Sequence, residues 1–155
     1  HMQFEFVRDW VRWVQGAKRN VFAVAEYWHS DLNVLKHYIQ KTEGVVSIFD
    51  FGLHDRMKAV AAGRGSYDLG SLFHGTFTQF DPTRSVTFVE NHDTYRFASR
   101  RVRQAEHWFK PSAYALILLR RDGYPCVFDL DYRGGHAAAI RKLLRARYRY
   151  AHGKQ

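Results

Sequence analysis

Val86-Thr87-Phe88-Val89-Glu90-Asn91-His92-Asp93 is an apolar, β-branched run that stops abruptly in four polar residues, among them two carboxylates and an imidazole. A strand buried on both faces is apolar throughout, so a polar cluster at its carboxyl end marks where a parallel sheet opens onto a site. Working outward, helix and strand patterns alternate. Phe4, Val7, Val11 and Val14 have the spacing of a helix face, and Arg19-Asn20 closes that segment before the short apolar run Val21 to Ala25. Ser30-Asp31 can cap a helix bearing Leu32, Leu35 and Ile39, and Glu43-Gly44 then leads into the strand pattern Val45 to Phe51. Residues 53–62 predict a helix, 63–66 a loop, and the region of Leu69 to Phe73 a short helix. A polar loop is expected over Arg96 to Glu106, a helix from about Pro111 to Arg120, a strand over 125–130 and a last helix from about His136. Strands separated by helices of this length indicate βα crossovers, hence an α/β chain with a parallel sheet.

Composition excludes several classes. With 46% hydrophobic and 16% aromatic residues the chain packs rather than staying disordered. Its longest apolar run, Ala113 to Leu119, is far short of the ~18 residues of a membrane span, so no membrane partner is expected. The net charge of +9 raises nucleic acid as a partner. The basic residues, however, concentrate at Arg100-Arg101-Val102-Arg103 and between Arg141 and Arg149, where Ile140, Leu143, Leu144 and Tyr148 follow helical spacing on another side. That is an amphipathic helix with a solvated basic face, and nucleic-acid binding is not expected. The single cysteine, Cys126, rules out an intrachain disulfide and lies in an apolar run with no adjacent base, so it reads as an inert packing residue.

The two strand-end motifs, taken together, resemble the α-amylase family of glycoside hydrolases (family 13). Val86 to Asp93 is similar to that family's Asn-His-Asp strand, with Glu90 where many members have Asp. Phe22-Ala23-Val24-Ala25-Glu26-Tyr27-Trp28 resembles the strand that carries its catalytic Glu. The segments His1 to Trp10, Ser47 to Phe51, Tyr67-Asp68, Trp108-Phe109-Lys110-Pro111 and Gly123-Tyr124-Pro125 look like successive pieces of its bacterial liquefying branch, in the right order. The resemblance implies the C-terminal half of a (β/α)₈ TIM barrel, about four βα units over residues 1–155, numbered five to eight. At 155 residues the chain is too short for a whole barrel of roughly 250. It begins with His, so a processed, truncated or excised chain is expected, and compartment cannot be read from the amino terminus. In the family the nucleophilic Asp sits in an Arg-x-Asp segment just before the position of His1.

The implied parent is an endo-acting, retaining hydrolase of α-1,4-glucans. Cleaving a glycosidic bond takes one carboxylic acid to protonate the leaving oxygen and a second carboxylate that attacks or activates water. By resemblance Glu26 is the acid and later the base, and partial burial near other carboxylates would raise its pKa toward the useful range. Asp93 matches the third carboxylate, which holds sugar hydroxyls and favours the cationic transition state. His92 matches the imidazole that donates to the sugar, and Asn91 fixes the loop. Trp28 and Tyr27 offer flat faces to sugar rings. Read without the resemblance, Asn-His-Asp could be a turn whose side chains bond their own backbone, a reading that the preceding Val-Thr-Phe-Val strand makes the weaker one. A metal pair at His92 and Asp93 lacks a third ligand at familiar spacing.

Calcium is implied for the full-length parent and not for this chain. The family's main site matches the carbonyl of His1, and a second matches the carbonyls of Gly65 and Tyr67, with other ligands elsewhere. Asp129 and Asp131 stand where the family commonly has Phe-Tyr-Gly, and could add charge to the sugar site or cap the strand end. The expected partners are an α-glucan polysaccharide and either the missing first half of the barrel or a second copy. A non-catalytic glucan-binding or assembly module and a basic interaction protein are the competing readings.

Overall fold

Four short parallel strands lie side by side in chain order, β1 (Val24–Ala25), β2 (Ser47–Phe49), β3 (Ser85–Phe88) and β4 (Tyr124–Cys126). The computed structural model describes residues 2–64, 66–96 and 107–150. Helix α1 (Phe4–Ala17) precedes the sheet, α2 (Leu32–Lys41), α3 (Phe51–Gly63), α4 (Phe77–Phe80), α5 (His92–Arg96) and α6 (Lys110–Leu118) lie in the crossovers, and α7 (Asp129–Arg133) and α8 (Ala137–Tyr150) follow β4. Sequential order without strand exchange is what successive βα units produce, and it matches part of a (β/α)₈ barrel. The sheet curls. Three strand spacings of about 4.8 Å would hold the outer strands of a flat sheet apart, yet the ring of Phe22, ahead of β1, meets Tyr124 of β4 at 5.0 Å between centroids.

The expected helix faces form. Val7 and Val11 are buried on α1, and they pack with Leu35, Tyr38, Val46, Ile48 and Phe77 into one core cluster. The second cluster joins α3, α6 and α8 through Leu53, Met57, Tyr114, Ile117 and Ile140. Asp31 caps α2, as read, by accepting from the backbone N–H groups of Asn33 and Val34. Asp50 is fully buried at the start of α3, where one oxygen accepts from Leu53 N–H and the other from both the N–H and the hydroxyl of Thr78. That carboxylate ties the end of β2 to α4.

Several boundaries differ from the sequence reading. The strand expected over 125–130 is Tyr124–Cys126, and residues from Asp129 onward turn into α7. The Asp129–Arg133 ion pair at 2.7 Å spans one helical turn, and such i,i+4 pairs support a helix. The region of Leu69 to Phe73 holds a 3₁₀ turn over Leu69–Ser71, and α4 was not anticipated. On α8, Ile140 is buried but Tyr148 is exposed, because the packed stripe ends near Leu144. Arg147 leaves the solvated face and donates to the carbonyls of Leu118 and Arg120, capping the end of α6. Cys126 is exposed rather than packed, since β4 is an outer strand, although partial desolvation still pushes its thiol pKa up. Of the loop expected over Arg96 to Glu106, Arg96 ends α5, and residues 97–106 lie outside the described residues. No helix among the described residues is long and apolar enough to cross a membrane.

Both outer strands leave apolar surface uncovered. Phe22 ahead of β1, Val24 on β1 and Tyr124 on β4 are exposed, as are Phe6, Trp10 and Trp13 of α1, where the Phe6 ring stacks on Trp10 and Trp13 tilts against it. A groove of about 540 Å³, lined by Phe6, Trp10, Val24, Glu26 and Tyr38, runs beside β1. Unpaired strand edges next to apolar surface recruit further strands. The 155-residue chain in isolation is therefore expected to scatter light as an oligomer. A monomer that melts in one cooperative step would contradict this.

Candidate active site

Glu26 follows β1 directly, and Asn91, His92 and Asp93 lie just beyond β3, so both groups sit at the carboxyl ends of parallel strands. Although β2 lies between their strands, Asn91 Nδ2 donates to Glu26 Oε1 at 3.3 Å. One ligand atom each from Glu26, His92 and Asp93 falls within a 4.8 Å span. His92 Nε2 stands 3.6 Å from Asp93 Oδ1. The four polar residues read from the sequence are thus brought together. Glu26 is exposed, so the partial burial expected to tune it is not supplied by this chain.

His92 and Asp93 begin α5, with Asn91 just ahead of it, where a loop was expected. Asn91 Oδ1 accepts from Thr94 N–H at 2.7 Å, and the Thr94 hydroxyl accepts from Asn91 N–H at 2.9 Å. This reciprocal capping nucleates α5 and fixes the turn. The turn reading and the site reading hold together: the same Asn91 amide that caps α5 with its oxygen reaches Glu26 with its nitrogen.

Trp28 and Tyr27 separate. Side chains of an extended segment alternate in direction. Tyr27 turns to the helix layer and stacks on Tyr38 of α2 at 4.2 Å, inside the first core cluster. Trp28 turns the other way, stacks on Phe51 at 4.4 Å and keeps an exposed face. Tyr27 is half-buried between that stacking contact and the groove that Glu26 also lines.

For calcium, His1 and Gly65 lie outside the described residues. Tyr67 lines a separate apolar groove with Val60, Leu69 and Trp108. The gathered set of Glu26, His92 and Asp93 supplies the third ligand that spacing alone did not reveal. It includes an imidazole, whereas calcium takes six to eight oxygens, so the set does not fit calcium.

Sequence reasoning left one group of residues without a role. Below the turn, Lys110 Nζ lies 3.1 Å from Glu90 Oε2 and 2.8 Å from Asp131 Oδ1. Tyr114 donates its hydroxyl to Asp131 Oδ2 at 2.8 Å, and burial together with that carboxylate pushes the phenol pKa far up, keeping it neutral. Asp131 is thus buried inside the protein, while Asp129 is an exposed partner of Arg133. A lone Lys opening an otherwise apolar helix was the signal in the sequence that a buried anion awaited it.

Against this geometry, the family model for the α-amylase catalytic domain matches residues 2–141. The chain is 42% identical to a glucan 1,4-alpha-maltohexaosidase of Bacillus sp. strain 707 and 40% identical to an alpha-amylase of Geobacillus stearothermophilus, covering all of this chain and 31% and 30% of those proteins. It is 36% identical to the cytoplasmic alpha-amylase of Escherichia coli K12, again over its whole length and 35% of the relative. The chain belongs to the α-amylase family, in the catalytic domain. It spans about a third of the length of the curated relatives it matches.

Proposed function

We propose that this chain is strands five to eight of the catalytic barrel of an α-amylase-like retaining hydrolase that cleaves internal α-1,4 bonds of starch- or glycogen-type glucans. The observation that carries the reading is the convergence of Glu26 with Asn91, His92 and Asp93 across an intervening strand. In this reading Glu26 protonates the glycosidic oxygen as the bond breaks, and its carboxylate then takes a proton from the water that releases the sugar. Asp93 accepts hydrogen bonds from sugar hydroxyls, and its charge favours the oxocarbenium-like transition state. His92, exposed beside it, donates to the same ring, and the open face of Trp28 covers a neighbouring sugar. The nucleophilic carboxylate comes from an Arg-x-Asp segment in the first half of the barrel, whose strands would also cover β1 and β4. Calcium belongs to this proposal only for the full-length protein, whose other segments would supply the oxygen ligands.

The test is to digest soluble starch with the full-length protein and follow the new reducing ends by proton NMR. The expected first products are α-anomers, the sign of a double displacement. β-Anomers would contradict the retaining mechanism. Retention on a starch matrix without cleavage would favour a glucan-binding module, and neither retention nor cleavage a basic interaction protein.

A further inference from the structure

An ionic cluster lies under the Asn91-His92-Asp93 turn, with Glu90 Oε2 buried and held by the Lys110 charge at 3.1 Å without a hydrogen bond. Glu90 is 2% exposed, Lys110 3% and Asp131 6%. Taking three charges out of water is expensive, and replacing such a group by well-packed apolar side chains is often neutral or stabilising, so stability is a weak reason for its presence. Its geometry gives a better one. Lys110 faces Glu90 Oε2, and the other oxygen, Oε1, accepts a hydrogen bond from the Thr94 hydroxyl. A hydroxyl has one hydrogen. With that hydrogen committed to a buried anion rather than to the Asn91 carbonyl 3.2 Å away, the Thr94 oxygen is left as an acceptor, and it takes the N–H of Asn91. The Asn91 side chain is then determined as well: its oxygen must face Thr94 N–H, which leaves its NH₂ for Glu26.

We propose that Lys110, Glu90 and Thr94 are positioning residues for this site, fixing through Asn91 both the angle of the Glu26 carboxylate and the turn that carries Asp93. Asp131 and Tyr114 complete the cluster by holding the Lys110 ammonium from the other side. The inference rests on the glycosidase reading of Glu26 and Asp93. It assigns Asp131 to orientation rather than to charge on the sugar, and it links the β4–α7 region to chemistry carried by β1 and β3.

Thr94 is the place to test it, because removing Lys110 or Glu90 leaves an unpaired buried charge and risks unfolding. In the full-length protein, Thr94→Val keeps the shape and removes the hydroxyl, and Thr94→Ser restores the hydroxyl. Small misplacements of catalytic groups cost up to about 100-fold, so Thr94→Val is expected to lower kcat on soluble starch by roughly 30-fold with KM changed less than about 3-fold, while Thr94→Ser stays within about 3-fold of the unsubstituted kcat. Amide hydrogen exchange at Asn91 supplies a readout free of activity: protection falls at least about 10-fold in Thr94→Val and is kept in Thr94→Ser. A Thr94→Val protein with unchanged kcat, or Val and Ser proteins whose kcat falls only in step with their melting temperatures, would overturn the proposal. Should the unsubstituted protein fail to cleave starch, the glycosidase reading fails. Asn91 exchange then still decides whether the cluster holds the turn, unchanged protection in Thr94→Val counting against it.

Discussion

The 155-residue chain on its own is expected to release reducing ends from soluble starch no faster than buffer. Retaining cleavage needs a nucleophile as well as an acid, and in the proposed mechanism the nucleophile belongs to the other half of the barrel. Catalytic residues that act as a unit fail together, and losing a covalent nucleophile removes roughly 10⁶-fold in kcat. The purified chain would be assayed for reducing ends beside the same chain carrying Glu26→Gln. Clear turnover that disappears in the substituted chain would reassign Asp93. Its carboxylate lies within the 4.8 Å group that includes Glu26, not far from the ~5–5.5 Å separation of acid and nucleophile in retaining enzymes.

Much of this architecture was legible because it is local. The face of α1, the Asp31 cap and the alternation of strands with helices all follow from spacings of a few residues, and each forms as read. That Glu26 would meet Asn91-His92-Asp93 was legible for a related reason. Glu26 and Asn91-His92-Asp93 are polar residues at the ends of apolar runs, and a parallel sheet places all such ends on one side. What escaped is either non-local or a matter of direction. Lys110 and Asp131 are 21 residues apart, and nothing in the sequence pairs them until the sheet brings α6 against α7. Tyr27 and Trp28 are neighbours of similar chemistry, and which of them faces the site depends on the phase of one extended segment. The end of β4 was overextended because Val127-Phe128 continues the apolar run, while the Asp129–Arg133 pair that converts the next residues into a helix is the weaker signal. The capping exchange between Asn91 and Thr94 was visible in the sequence as an Asn followed three residues later by a Thr, but a polar stretch after a strand reads first as loop.

Glu26→Gln in the full-length protein is the second large effect, and its size should depend on the substrate. Gln cannot deliver a proton to the leaving oxygen but nearly preserves the shape of the side chain and its contact with Asn91. Starch has an alcohol leaving group that needs the proton, so general-acid loss is expected to lower its turnover by about 10³–10⁴-fold. An activated α-glucosyl fluoride needs little protonation. Its first displacement should survive as a burst of fluoride, followed by slow release of sugar, because the same residue is required as the base for the second step. Rapid-quench measurement of that burst, beside starch turnover by the same preparation, tests the role of Glu26 most directly. The fluoride burst should stay within about 10-fold of the unsubstituted protein while the starch rate falls at least about 10³-fold. Equal losses on both substrates would contradict a general-acid role for Glu26.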